Sequence, residues 1–126
     1  MHRSKLAGFI IDCQTQDLKG AAEFWGGALG MEVRPFPGGE GEIYMHLVDP
    51  TGRLNVEVQT VTHPSRVHLD IETDDIDAEV RRLEKLGAMR VAQIKTWWVM
   101  EAPTGQRFCV VRKSSTDFHE RAREWP

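Results

Sequence analysis

Two stretches of the chain carry apolar residues at helical spacing, and each is framed by shorter runs in which apolar and polar positions alternate. In the segment 74–88, Ile76, Val80, Leu83 and Leu86 recur at intervals of three and four, while Arg81, Arg82, Glu84 and Lys85 occupy the opposite side. That pattern predicts an amphipathic helix lying on a sheet. In the segment 17–31, Leu18, Ala21, Ala22, Trp25 and Leu29 repeat the pattern, although Gly20, Gly26 and Gly27 lower intrinsic helicity by up to ~1 kcal/mol each relative to alanine. Close packing against a neighbour accounts for glycines in such a place. Both segments open on aspartate, which caps a helix and suits its positive end, and both close on Leu-Gly, a left-handed stop.

Strand-like alternation precedes each helix, at Leu6 to Gln14 and at Arg66 to Thr73, and three further strands are expected after each. These are Glu32 to Phe36, Glu42 to Val48 and Arg53 to Val61 in the first case, then Met89 to Lys95, Trp97 to Glu101 and Gln106 to Arg112 in the second. The helical segments align at an offset of 57 residues and the Pro-Thr-Gly turns, Pro50-Thr51-Gly52 and Pro103-Thr104-Gly105, at 53, so loops absorb the difference. The chain therefore reads as βαβββ written twice, an α+β fold. The first unit spans 5–61 and the second 65–112. Pro35 to Gly39 is expected to be a loop, Thr62 to Ser65 the link between copies, and the polar tail 113–126 is open to two readings, a short terminal helix or a partly disordered end.

Composition narrows the class. At 126 residues the chain suits a single compact domain, and a formal charge of −3 argues against a phosphate-binding surface, so neither nucleic acid nor a membrane is an expected partner. No apolar run reaches the roughly 20 residues of a membrane helix, and Met1 to Lys5 leads into a strand without a signal-type cleavage site, which points to the cytoplasm. Cys13 and Cys109, far apart and without CxxC spacing, are expected to be reduced and partly buried.

Three pieces, FWGGALGMEV at Phe24 to Val33, VHLDI at Val67 to Ile71 and PTGQRFCVV at Pro103 to Val111, resemble the glyoxalase-like domains of the vicinal oxygen chelate superfamily, which includes glyoxalase, bleomycin-resistance and dioxygenase proteins. The resemblance covers about residues 6 to 112. It implies that the two units form curved mixed half-barrel sheets with helices on the convex side, and that paired units enclose a small-molecule cavity, often with a divalent metal. It does not choose between reactions.

Strand alternation tests which side chains would face such a cavity. With Phe9 and Ile11, Leu54, Val56 and Val58, Val67, Leu69 and Ile71, and Phe108 and Val110 assigned to the helices, the opposite face receives Ile10 and Asp12, Asn55, Glu57 and Gln59, His68, Asp70 and Glu72, and Arg107 and Cys109. The superfamily's metal ligands, carried onto this sequence, fall on Ile10, Glu57, His68 and Cys109. Isoleucine cannot bind a metal and a thiolate favours softer ions than a carboxylate does, so His68 and Glu57 are an incomplete ligand set. Asp12 and Asp70 could replace the missing ligands only if the ion moved along the strands.

The expectation is a cavity without a tightly bound cofactor, in which His68 pairs with Glu57 or Asp70. His68 or Glu57 would then act as base, with Asp12, Asp70, Gln59, Trp97 and Cys109 lining the ligand. In the Trp97-Trp98 pair one indole must face each way, and hairpin register favours Trp97 with Val99 on the cavity side. The corresponding function is a lyase or isomerase that moves a proton next to a carbonyl. The alternative is a metal-free binding protein that sequesters an antibiotic or hydrophobic compound. A homodimer is expected, because an uncovered sheet edge invites a second copy.

Overall fold

The computed structural model describes residues 1–37 and 42–126, so Gly38 and Gly39 of the expected loop lie outside the described residues. The order of elements is β1 (His2–Gln14), α1 (Leu18–Leu29), β2 (Glu32–Pro35), β3 (Tyr44–Val48), β4 (Asn55–Val61), β5 (Arg66–Thr73), α2 (Ile76–Lys85), β6 (Met89–Ile94), β7 (Trp97–Glu101), β8 (Arg107–Arg112), α3 (Phe118–Arg121) and β9 (Arg123–Trp125). The α+β class and the doubled βαβββ order are thus those expected. Among the described residues no helix is long and apolar enough to cross a membrane. The chain divides into two compact units, residues 8–67 and residues 1–7 with 68–126.

In the unit 8–67 the strands run β2-β3-β4-β1, with β1 parallel to β4 and the other pairs antiparallel. Helix α1 packs on one face, where Ile11, Leu18, Ala22, Leu47, Val56 and Val58 form the buried core. Asp17 caps the helix by accepting from the Gly20 amide at 2.9 Å, and Gly30, at φ 68°, ends it. Strand β4 begins at Asn55 rather than Arg53 because the Asp49 carboxylate takes the amides of Arg53 and Leu54, at 3.2 and 2.9 Å, into the preceding turn. Leu54 is exposed as a result and does not face the helix. Strand β3 likewise begins later than expected, at Tyr44.

In the other unit, β5 pairs in parallel with β8, and β7 and β6 follow antiparallel, with β6 at the edge. Val80 and Leu83 of α2 pack on Met100 and Val110, with Ile71, Trp98 and Phe108 around them. Asp75 caps α2 through the Ala78 amide, and amides of Gly87 and Ala88 close its end on Glu84 and Leu83. Three apolar expectations fail here. Leu69 is 52% exposed, because α2, ten residues and about 15 Å long, packs only on Ile71 beyond it, and Val67, which belongs to the unit 8–67, is 59% exposed. Leu86 is also exposed, since the helix stops at Lys85 and the cap turns it away from the packed face.

The tail is ordered into α3 and β9. Phe118 is buried and β9 pairs antiparallel with His2–Ser4, which explains why β1 begins at His2 and not at Leu6.

Candidate active site

Parallel pairing of β5 and β8 sets Asp70 beside Cys109, and alternation puts His68 on the same face. His68 Nε2 lies 3.6 Å from Asp70 Oδ1, and the two side chains are only 12% and 13% exposed. One donor atom from each of His68, Asp70 and Cys109 falls within 4.8 Å of the other two. Across β7, Val99 is opposite Cys109 and Trp98 opposite Val110, so Trp97 stands on the Cys109 face one rung further along, while Trp98 packs beneath α2. Arg107, on the same face of β8 as Cys109, donates to Glu101 at 3.0 Å. A cation so engaged has less charge to offer a neighbouring thiolate.

The remaining candidates belong to the unit 8–67, where β4 is flanked by β1 and β3. Glu57 lies between Ile10 and His46, and Gln59 between Asp12 and Tyr44. Asn55 Nδ2 donates to Glu57 Oε2 at 2.5 Å, and Gln59 Nε2 donates to the Tyr44 hydroxyl at 3.0 Å. Asp12 is almost fully buried, with Arg66 Nε 3.5 Å from its Oδ2. Phe36 sets its ring edge-on to both Tyr44 and His46. The predicted residues therefore form two groups, His68, Asp70 and Cys109 with Trp97 nearby, and Asp12, Glu57 and Gln59. Of the two carboxylates considered for His68, Asp70 is the one in its own unit.

Asn55, Arg66, Tyr44 and His46 join these groups without having been singled out as site residues. Tyr44 and His46 follow from the hairpin only when the turn is taken as Asp49 to Leu54, since equal steps outward from those two residues set His46 against Glu57 and Tyr44 against Gln59. Cys13 needs no role. Burial first, then the Asp12 charge beside it, push its thiol above the ordinary value, so it is a quiet core residue.

The donor set of imidazole, carboxylate and thiol is of the kind that would hold a borderline-soft divalent ion such as zinc. It differs from the incomplete pair His68 and Glu57 by drawing all three donors from β5 and β8.

The profile of the family described as "Glyoxalase-like domain" matches residues 8–111. No curated protein matches this sequence. Among solved structures, a hypothetical protein from Bacillus halodurans C-125 superposes with a TM-score of 0.63 at 12% identity, over 88% of this chain and 96% of that one. Methylmalonyl-CoA epimerase from Mycobacterium tuberculosis gives 0.56 at 16%, over 86% and 88%. A mutant 4-hydroxymandelate synthase from Streptomyces coelicolor gives 0.57 at 16%, with 89% of this chain covering 50% of that enzyme. Identities this low bear on the fold, and the fold agrees with the sequence profile: the chain belongs to the glyoxalase-like domain family of the vicinal oxygen chelate superfamily.

Proposed function

We propose that the protein acts on a small carbonyl compound by moving a proton at the adjacent carbon, as a lyase or isomerase, with His68 as the base. The observation that supports this reading most is the shielded His68–Asp70 pair at 3.6 Å with Cys109 beside it. A carbon acid next to a carbonyl needs a positioned base, and an imidazole held against a carboxylate supplies one, because the carboxylate orients the ring and stabilises the imidazolium that forms. His68 takes the proton from carbon through the ring nitrogen turned away from Asp70 and returns it to the new position, while Asp70 holds the ring in place. Exclusion of water around the pair strengthens that interaction. An epimerase among the fold neighbours is in keeping with such chemistry.

His68, Asp70 and Cys109 would together hold a zinc-like ion, which when bound would polarise the carbonyl oxygen. His68 would then be spent as a ligand, so metal content and the role of His68 are tested together. Exchange of carbon-bound hydrogen in D2O, followed by proton NMR over a panel of 2-hydroxy and 2-oxo carbonyl compounds, is the direct assay. The expected result is enzyme-dependent exchange with one compound class, reduced on the order of 100-fold or more in His68→Ala, in protein whose elemental analysis shows less than stoichiometric metal. Saturable binding of a compound with no exchange, unaffected by His68→Ala, would overturn the reading in favour of a sequestering protein. A cytoplasmic setting is the location this reading takes, in keeping with two cysteines that lack disulfide-type or CxxC spacing.

A further inference from the structure

Glu72 stands two residues beyond Asp70 on β5, on the face that carries His68 and Asp70, and it is fully buried. The end of the chain buries it. The amides of Ser114 and Ser115 donate to Glu72 Oε1 at 3.3 and 3.1 Å, and the Ser115 hydroxyl donates to Oε2 at 2.5 Å. Lys5 Nζ lies 3.7 Å from Oε2 and 3.5 Å from Ser115 Oγ. A buried carboxylate is tolerable only when its oxygens are met in this way. Further along, Phe118 is 1% exposed, β9 pairs with His2–Ser4, and the Trp125 indole donates to Ser4 Oγ at 2.9 Å.

Position along the sheet gives this fastening its meaning. Glu72 is level with Val111 in β8, as Asp70 is with Cys109, and Trp97 belongs to the same outer rung. The rung lies about 7 Å from the Asp70–Cys109 rung. After leaving β8 at Arg112 the chain therefore turns back and seats Ser115 on the face of the candidate site, one pleat from its functional groups.

We propose that the segment 113–126 is an end wall of the site and a determinant of ligand length. Ser115 on Glu72 is its latch, and ligands held at His68 and Asp70 cannot extend along β5 and β8 past that rung. The site then selects compact ligands in this direction. This inference rests on reading the His68 face as the ligand site, but it does not need His68 to be a base.

Thiol labelling of the full-length protein tests it, with the modified cysteine identified by mass spectrometry. Cys109 reports access behind the wall, and Cys13, in the core of the other unit, reports global opening. The probes are iodoacetamide, which is small, and fluorescein maleimide, which is bulky, each rate being normalised to free cysteine. The double variant Ser115→Ala, Trp125→Phe removes three hydrogen bonds of the segment and keeps an aromatic ring at position 125. Weakening the latch by these bonds is expected to raise the maleimide rate at Cys109 about fivefold or more, with little change for iodoacetamide and none at Cys13. An unchanged maleimide rate at Cys109, including one too slow to measure in both proteins, would overturn the proposal. So would a parallel rise at Cys13, which would make the segment a prop for global stability. Loss of the D2O exchange result with the labelling result intact would remove the proton-transfer reading and leave the wall standing.

Discussion

Asp49 shows how much one short side chain can fix. Its Oδ1 accepts from the Thr51 amide at 3.0 Å, and its Oδ2 accepts from the Thr51 hydroxyl at 2.7 Å and the Leu54 amide at 2.9 Å, with the Arg53 amide at 3.2 Å. Donation by the Thr51 side chain first, then by the backbone amides, lowers the carboxyl from its ordinary 3.8 to about 2. A carboxyl-carbon NMR titration should therefore place Asp49 near pH 2, and a midpoint near 3.8 would mean that these donors are not engaged in solution. The preference of aspartate for such turns is legible in a sequence. The consequence, a strand shortened by two residues and Leu54 turned to solvent, is not, because it depends on how many amides one carboxylate collects. The same limit applies at the candidate site. Alternation alone places His68, Asp70 and Cys109 on one face, whereas the 3.6 Å between His68 and Asp70 depends on side-chain reach that no local pattern encodes.

At the scale of elements the two helices were read from spacing and caps, and their glycines make the clearest test of packing against propensity. Gly26 is buried beneath the strands that follow it, and a Cβ there would stand 2.8 Å from Val33 Cγ2 and 2.9 Å from the Met31 carbonyl oxygen. Gly27, one residue on, has nothing within 4 Å of the same construction. Gly27→Ala should stabilise the protein by up to about 1 kcal/mol, the intrinsic helix gain. Gly26→Ala should lose that gain to the backbone oxygen and the valine and destabilise by about 1–2 kcal/mol net. Urea unfolding of both variants checks the pair, and equal effects would mean that α1 does not approach β2 this closely. At Leu69 the apolar pattern meets no cover, and the cause is again an element's length. Apolar alternation says which face a residue takes, but a ten-residue helix decides how much of that face is covered.

The whole molecule adds what neither scale contains, contacts between parts far apart in sequence. Glu79 of α2 is fully buried, 2.8 Å from His2 Nε2 and paired with Arg82 through two hydrogen bonds of 2.8 and 2.7 Å, and the Arg82 guanidinium covers the Trp125 ring at 3.9 Å. His2 and Trp125 stand near opposite ends of the sequence, and nothing local to either announces a shared partner. Burial alone would raise the Glu79 carboxyl, but donation by Arg82, His2 and Ser4 outweighs it and holds the group below its ordinary 4.5. A carboxyl lowered by folding contributes stability that is complete above its unfolded value and is lost as pH falls through the folded one. The melting temperature should therefore hold down to about pH 5 and then drop as the pH falls below 4.5. Glu79→Gln, which leaves Arg82 without its buried counter-charge, should cost about 3 kcal/mol at pH 7. The gap to the parent protein should close toward pH 3, where the parent carboxyl is also becoming neutral. A deficit that stays the same from pH 7 to pH 3 would show that Glu79 acts by shape, since only a charged carboxylate ties the stability of this network to protons in the medium.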